Sequence, residues 1–280
     1  MTWCDTTTRS GPLVPMKVSQ EEWAHELRCA RQAVRQAGQV VMEVARRYAR
    51  TPDRTAHRSV VTDADIRSDR ILREQLHVAF PRDSWLSQTY CHDVTRLEQE
   101  RIWVVDPLGG THDLVQGRPE YAISVALVEK GHPKVAVIYN PCTQELFEAV
   151  SGREARLNGI PIHCTSNSLS CPRVLVSRTD LEQGRYHAYR QQLQLVPCGS
   201  MAYRLACVAA GRAQATLCVT PKHEWDIAAG VLLVTCAGGR VTDLQGQTNR
   251  FNRPRLLVNG VVASSSGSYA QVAGQVLSVD

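Results

Sequence analysis

The chain has 280 residues, 43% of them hydrophobic and 21% charged, and this balance excludes a disordered or fibrous protein. Its formal net charge of +5 is too dispersed to indicate nucleic-acid binding, although it mildly favours anionic ligands. The ten cysteines form no Cys-x-x-Cys pair, which argues against a structural zinc site. No signal peptide or membrane span is visible, so we expect a cytoplasmic protein with free thiols.

The N-terminal region predicts a polar tail followed by a long helix. Residues 1–18 lack hydrophobic periodicity and are interpreted as a loose tail or partner-binding arm. Ser19 and Glu22 have the spacing of a capping box, which marks a helix start. Apolar residues then recur at three- and four-residue steps, so we predict an amphipathic helix that ends near Arg50.

The next segment predicts a basic loop, a short extended piece and a second helix. The basic residues of the loop are candidates for phosphate contact, although each could equally be a solvated charge: Arg54, His57 and Arg58. Residues 60–62 are predicted to be extended, and Asp63 and Asp65 to open the helix that follows. Carboxylates in a first helical turn are favoured by the helix dipole alone, which is one explanation for both.

The apolar run at 101–105 predicts a buried strand that leads into a candidate site. The strand is expected to end at Asp106, because Pro107 cannot continue regular pairing. Residues 109–111, Gly-Gly-Thr, can then present backbone N–H groups to an anion as a helix begins. A carboxylate beside such an N–H cradle suits a metal-bound phosphate, whereas a chemically silent strand-to-turn junction is the alternative.

The rest of the chain predicts an antiparallel meander and then an α/β region. Strands are predicted at 121–128, 134–139, 145–150, 174–177, 213–219, 241–244 and 256–258. Helices are predicted at 201–210, with Ser200 as N-cap, and at 225–236, with Asp226 in the first turn. The tail from Ser264 is Ser/Gly-rich and then weakly helical. We therefore expect an N-terminal half at 19–160 and a C-terminal half at 161–280.

Three motifs resemble signatures of the inositol monophosphatase family. Residues 106–111, Asp-Pro-Leu-Gly-Gly-Thr, resemble its Asp-Pro-Leu/Ile-Asp-Gly-Thr signature, and 224–230 resemble its Trp-Asp-x-Ala-Gly/Ala signature. Residues 61–65, Val-Thr-Asp-Ala-Asp, resemble its Val-Thr-x-x-Asp element. The resemblance implies a layered αβαβα sugar-phosphatase sandwich, which combines α+β and α/β halves and has its pocket between them. The superfamily to which that family belongs also includes bisphosphate nucleotidases and fructose bisphosphatases.

The resemblance also implies a Mg²⁺-dependent hydrolysis of phosphomonoesters and assigns roles by position. The metal positions are Asp106, Leu108, Asp226 and Gln88, and the phosphate-binding positions are Gly109, Gly110 and Thr111. Substrate-binding candidates are Arg54, Arg178, Gly199 and Ser200; helix capping explains Ser200 equally well. Asp65 would orient a catalytic water through Thr111, with helix capping as the alternative for Asp65.

Two positions depart from the family pattern and weaken the expected metal site. The second aspartate of the first signature is Gly109 here, and Gln88 stands where the family has the first glutamate of Gly-Glu-Glu. Two of the four expected carboxylates are thus replaced. Mg²⁺ prefers anionic oxygen ligands, so we predict binding that is weak, dependent on substrate, or absent.

Three functions remain open from the sequence. The first is an impaired phosphatase that acts on an inositol phosphate or a nucleotide 3′-phosphate. The second is a pseudoenzyme that binds a phosphorylated metabolite or a partner protein. The third is a repurposed enzyme of specialised metabolism that uses Asp65, Thr111 or Asp226 as acid/base groups without hydrolysis. The resemblance also implies a homodimer, and we expect neither nucleic-acid nor membrane binding.

Overall fold

The computed structural model of the protein describes residues 21–49, 57–90, 93–165 and 169–277. The predicted cap at Ser19 and the candidate Arg54 lie outside the described residues. The helices are α1 Ala24–Ala49, α2 His57–Ala79, α3 Thr111–Val115, α4 Arg178–Glu182, α5 Met201–Ala209, α6 Glu224–Cys236 and α7 Ser266–Leu277. Short 3₁₀ helices span Val94–Glu98 and His187–Tyr189. The cysteines in this part of the chain are all free.

The strands form two main sheets and one small ribbon. The first sheet has the order β1-β2-β3-β4-β5-β6-β7, the second β12-β14-β10-β8-β9, and the ribbon β11-β13. The strands are β1 Ser84–Ser87, β2 Arg101–Gly109, β3 Ala122–Glu129, β4 His132–Asn140, β5 Glu145–Val150, β6 Arg156–Leu157, β7 Ile160–Pro161, β8 Arg173–Ser177, β9 Gln194–Cys198, β10 Ala215–Cys218, β11 Lys222–His223, β12 Gly239–Thr242, β13 Leu257–Val258 and β14 Val261–Ser265.

Three apolar clusters stack these elements into five layers. α1 and α2 cover one face of the first sheet, where Val34 and Leu72 pack with Trp103 and Val125. Between the two sheets, α5 and α6 share a cluster with β2, β10 and β14. α7 covers the outer face of the second sheet. The order is α, β, α, β, α, which confirms the predicted layered sandwich.

The second helix begins earlier than predicted, so the extended piece expected at 60–62 is wrong. These residues belong to α2, which starts at His57. β-Branched residues carry only a small penalty in a helix, and the buried periodic positions Ala64, Leu72 and Leu76 continue the same helix. Asp63 and Asp65 therefore lie well inside α2 and not in its first turn, so the helix dipole does not explain them.

The strand before the candidate site is longer than predicted. β2 continues through Pro107 to Gly109, and the register shifts between Asp106 and Gly109. A bulge of this kind accommodates a proline that cannot donate to the ladder, which is why the expected end at Asp106 is wrong. The Ser68 hydroxyl of α2 donates to the Pro107 carbonyl at 2.8 Å and ties the bulge to the outer helix layer.

The C-terminal tail is more regular than predicted. Ser264 lies in β14, which pairs with both β10 and β12 near the middle of the second sheet, and α7 follows as a helix of 12 residues. Two buried faces explain this order, because Val261 and Ala263 face α5 and α6 whereas Val262 faces α7. Among the helices described, none is long and apolar enough to cross a membrane.

Candidate active site

A cavity of about 210 Å³ opens where the β2 bulge meets the starts of α5 and α6. It is lined by residues from both halves of the chain. Most of the candidates from the sequence lie on its lining: Asp106, Gly109, Gly110, Thr111, Arg178, Gly199, Ser200 and Asp226. Leu108 is buried in the bulge and is not part of the lining.

Two carboxylates reach this cavity from different elements, β2 and α6. Asp106 is buried, and its Oδ1 accepts from the Leu108 N–H at 3.2 Å. Asp226 is the third residue of α6, and its Oδ2 accepts from the His223 N–H at 2.9 Å as part of a capping box. Burial raises the pKa of Asp106 well above its ordinary value, and the charges of Asp226 and Asp65 raise it further. Burial also raises the pKa of Asp226, although Lys222 opposes the rise.

Asp65 lies near these carboxylates but not on the cavity lining. Burial and the neighbouring Asp69 raise its pKa to about 7. Among the hydrogen bonds described, none joins Asp65 to Thr111, and Asp65 Oδ1 is buried without a partner. The role of this pair in orienting a water therefore stays a prediction. Asp69 was not predicted from the sequence; it is buried and accepts from the Ser87 hydroxyl at 3.1 Å.

The two substituted positions have different environments. A Cβ built on Gly109 would lie 2.5 Å from Asp106 Oδ2 and 2.8 Å from Ser200 Oγ, so this position is tightly enclosed. Gln88 is exposed just beyond β1 and does not line the cavity.

The residues present fit only part of the expected metal set. Within the described ranges, no group of three or more His, Cys, Asp or Glu side chains is arranged to hold a metal ion. The donor set thus does not fit the two or three ions of the family pattern. Asp106 and Asp226 are the two carboxylates on the lining that could hold a single ion, and a cation there would offset the charge of Asp226, which adds to the burial that raises the Asp106 pKa.

Arg178 links the two halves at the cavity wall. Its guanidinium forms ion pairs with Asp113, at 3.1 Å, and with Glu120. Glu120 also accepts from the Gly199 N–H at 3.2 Å through its side chain and from the Ser200 N–H at 3.0 Å through its carbonyl. Arg178 and Gly199 therefore line the cavity, and their bonds to Asp113 and Glu120 hold the wall of the cavity together.

Ser200 caps α5 as predicted, and its contact with a substrate stays a prediction. Its hydroxyl accepts from the Tyr203 N–H at 3.4 Å and caps α5, and the residue also lines the cavity. Gly110 precedes α3 with a φ of 87°, and a Cβ there would lie 2.7 Å from the Glu120 carbonyl oxygen. Only glycine accommodates both that φ and that contact.

Two cations on the lining were not predicted from the sequence. Lys222 of β11 is half-buried, and Arg204 of α5 is 1% exposed. A signal for Arg204 was available, because it is the one charged residue in the apolar stretch at 201–210. Lys222 precedes Asp226 by four residues, but no local pattern shows that it faces the cavity.

The sequence that forms this cavity matches a family model. The model described as "Inositol monophosphatase family" matches residues 22–278. The chain belongs to the inositol monophosphatase family. This family binds phosphorylated small molecules and is typically Mg²⁺-dependent.

Individual relatives agree with this assignment. A fructose-1,6-bisphosphatase/inositol-1-monophosphatase from Thermotoga maritima is 29% identical over 236 residues, which cover 82% of this chain and 89% of that protein. The Nus factor SuhB of Escherichia coli is 30% identical over 237 residues, covering 80% of this chain and 86% of that protein. The solved structure of an inositol monophosphatase from Anabaena (Nostoc) superposes with a TM-score of 0.77 at 25% identity, covering 92% of this chain and 98% of that one.

Proposed function

We propose that this family member slowly hydrolyses a phosphomonoester of the inositol phosphate or nucleotide 3′-phosphate class. The observation that carries the proposal is the meeting of Asp106, Asp226 and the turn at 109–111 in one cavity. Low activity follows from the missing carboxylates, since Gly109 and Gln88 cannot supply the charge that Mg²⁺ prefers.

Each residue has a definite task under this proposal. Asp106 and Asp226 would hold one Mg²⁺ together with the main-chain carbonyl of Leu108. Such an ion would supply a water of lowered pKa and would offset the charge of the phosphate. The N–H groups of the 109–111 turn position the phosphate oxygens, and Asp65 acts with Thr111 to orient the attacking water. The ligand phosphate adds charge to the depleted site, so we expect Mg²⁺ to bind more tightly with phosphate than without it.

Two measurements test this proposal. Phosphate release from a panel of inositol phosphates and nucleotide 3′-phosphates, at high protein concentration, should require Mg²⁺. Calorimetric titration of Mg²⁺ should show tighter binding when inorganic phosphate is present. The absence of turnover on every ester of the panel would remove the hydrolytic function.

A second candidate is a pseudo-phosphatase that binds a phosphorylated metabolite without hydrolysing it. The presence of Lys222 and Arg204 on the cavity lining favours this candidate, because these cations attract an oxyanion without a metal. It predicts that phosphate esters raise the melting temperature in the absence of Mg²⁺. The homodimer and the cytoplasmic location expected from the sequence also stay proposals, and sedimentation analysis tests the first.

A further inference from the structure

Arg204 is a buried cation whose interactions within the protein leave most of its donors unused. It projects from α5, and the guanidinium donates one hydrogen bond, from Nη1 to the Leu217 carbonyl at 3.2 Å. Its Nε is buried without a partner, and in the described part of the chain it forms no ion pair. A guanidinium carries five N–H donors, and a buried charge that lacks partners is strongly unfavourable. The side chain lines the cavity, so a ligand there can supply the missing acceptors.

Lys222 adds a second positive charge to the lining of the same cavity. It is half-buried on β11 and lines the cavity. Lys222 and Arg204 both oppose the rise in the Asp226 pKa, which places both charges within electrostatic reach of that carboxylate. No carboxylate of the described residues forms an ion pair with Lys222. Two cations from different elements thus line the cavity within electrostatic reach of Asp226.

The charges on the lining are balanced before any ion or ligand binds. The acidic residues are Asp106, Asp113 and Asp226, and the basic residues are Arg178, Arg204 and Lys222. Arg178 is occupied by Asp113, which leaves Arg204 and Lys222 opposite Asp106 and Asp226. A cavity lined by carboxylates alone would repel a phosphate until metal ions neutralised it. In this chain the neutralising charge belongs to the protein.

We propose that Arg204 and Lys222 form an anion-binding pair that holds the phosphate group of the ligand without a metal ion. The inference rests on the proposed function in that the same cavity receives the phosphate. The guanidinium keeps N–H donors that form no bond within the protein and that suit phosphate oxygens, and the ammonium adds a point charge. The ligand is therefore a phosphate monoester or free phosphate, and Mg²⁺ is not needed to retain it.

Calorimetric titration of inorganic phosphate into the full-length protein tests this pair. The titration is made once in excess EDTA and once in Mg²⁺. We expect measurable phosphate binding in EDTA, with the Kd in Mg²⁺ lower by the same factor by which phosphate tightens Mg²⁺ binding. Lys222→Gln should weaken the binding in EDTA about tenfold, because one of the two charges is lost. Lys134→Gln is the matched control, since Lys134 is also half-buried but lies on β4 outside the cavity, and it should leave the Kd unchanged.

Arg204 is tested with a pair of variants that separates charge from packing. Arg204→Lys keeps the charge and should retain measurable binding in EDTA, whereas Arg204→Gln should lose it while its circular dichroism stays native. If Arg204→Gln fails to fold, the Lys222→Gln result decides. Phosphate binding in Mg²⁺ but not in EDTA would overturn the pair and leave the proposed hydrolysis standing. Binding in EDTA without any phosphate release in Mg²⁺ would support the pair and count against the hydrolysis.

Discussion

Gly109 is the single position where the chemistry and the packing of the site depend most closely on each other. In the family pattern this position carries a metal-binding aspartate, and here the space beside its Cα is taken by Asp106 Oδ2 and Ser200 Oγ. The glycine at this position therefore leaves no empty space where a side chain would stand. Any side chain at this position must displace one of those two groups, and both help to shape the cavity.

Gly109→Asp should lower the stability of the protein and raise its affinity for Mg²⁺. Without Mg²⁺ we expect the variant to unfold about 2 kcal/mol more easily, because the added atoms overpack an enclosed site and bring like charges together. Mg²⁺ should then raise its melting temperature more than that of the native chain. Adding Gln88→Glu should increase the metal affinity further if the loop after β1 can turn towards the cavity.

Thermal melts across a Mg²⁺ series, with calorimetry for the affinities, measure both effects. Gly267→Asp is the control, since a Cβ at Gly267 meets nothing within 4 Å. Its stability should be nearly unchanged, and its response to Mg²⁺ should equal that of the native chain. A Gly109→Asp protein that is as stable as the native chain in EDTA and indifferent to Mg²⁺ would contradict this account.

At the scale of elements, α5 and α6 approach each other closely because Gly230 has no side chain. A Cβ on Gly230 would lie 2.3 Å from Leu205 Cδ1 and 2.6 Å from Leu205 Cβ. The Cβ contact involves an atom fixed by the backbone of α5, so rotation of the leucine cannot relieve it. The same two helices carry Ser200 and Asp226 to the cavity, and their spacing therefore sets its width.

Gly230→Ala should lower the free energy of unfolding by about 1–3 kcal/mol, even though alanine is the better helix former. Urea unfolding followed by circular dichroism measures the change. Gly267→Ala in α7 adds the same methyl group where there is space, and it should be neutral or slightly stabilising. Equal stabilities for the two variants would show that α5 and α6 can separate without cost.

Glu145 links β5 to α5 and gives this contact a dependence on pH. It accepts from Tyr203 Oη at 2.8 Å and pairs with Arg212. Burial alone would raise its pKa, but the bonds from Arg212, Thr143 and Tyr203 hold the pKa below the ordinary 4.5. A carboxylate whose pKa is lower in the folded protein than in the unfolded chain stabilises the fold at pH values above its unfolded pKa. That contribution is lost as the pH falls through the folded pKa.

Glu145→Gln should therefore cost about 1–2 kcal/mol of stability near pH 7. The difference from the native chain should shrink once the pH falls below 4.5, where the native carboxylate also becomes neutral. Urea midpoints across a pH series measure this trend. Glu154→Gln, at an exposed position, should show no such trend. A penalty that is constant with pH would assign the effect to shape and not to charge.

The elements that the sequence predicted well are those fixed by local patterns. The β3–β4 hairpin is an example, because Lys130 and Gly131 adopt the positive φ values of 50° and 82° that a tight turn requires. The misjudged elements depend on distant partners. β2 continues past Pro107 because β3 holds the bulge, and β14 forms from a Ser-rich segment because β10 and β12 flank it.

For the whole molecule, the site residues also divide into those that a local pattern predicts and those that depend on distant partners. The motifs predicted Asp106 and Asp226, since each lies within a signature that can be read along the chain. Arg204 and Lys222 were missed because only the folded chain shows that these two side chains line the same cavity as Asp106 and Asp226. Gln88 and Asp65 show the converse, because a motif places them in the site while the fold leaves them off the cavity lining.

The two predicted halves share one interior, and this bears on how the protein unfolds. The central apolar cluster includes Ile102 and Val104 of β2 together with Leu205 of α5 and Ala228 of α6. Neither sheet can lose this cluster without exposing the other. We therefore expect the halves to unfold together, although chains of this length often unfold in steps.

Two optical probes can test this cooperativity. Of the tryptophans in the described residues, Trp225 lies in the second half and Trp23, Trp85 and Trp103 in the first. In the Trp225→Phe variant, the remaining tryptophans of the described residues all lie in the first half, so their fluorescence reports the unfolding of that half. Far-ultraviolet circular dichroism reports the helices and strands of both halves. We expect one urea midpoint by both probes. Leu205→Ala, which removes buried contacts between the sheets, should shift both midpoints together by an amount equivalent to about 2–4 kcal/mol. A shift in the dichroism alone would mean that the first sheet keeps its own core, and the cavity between the halves could then open without global unfolding.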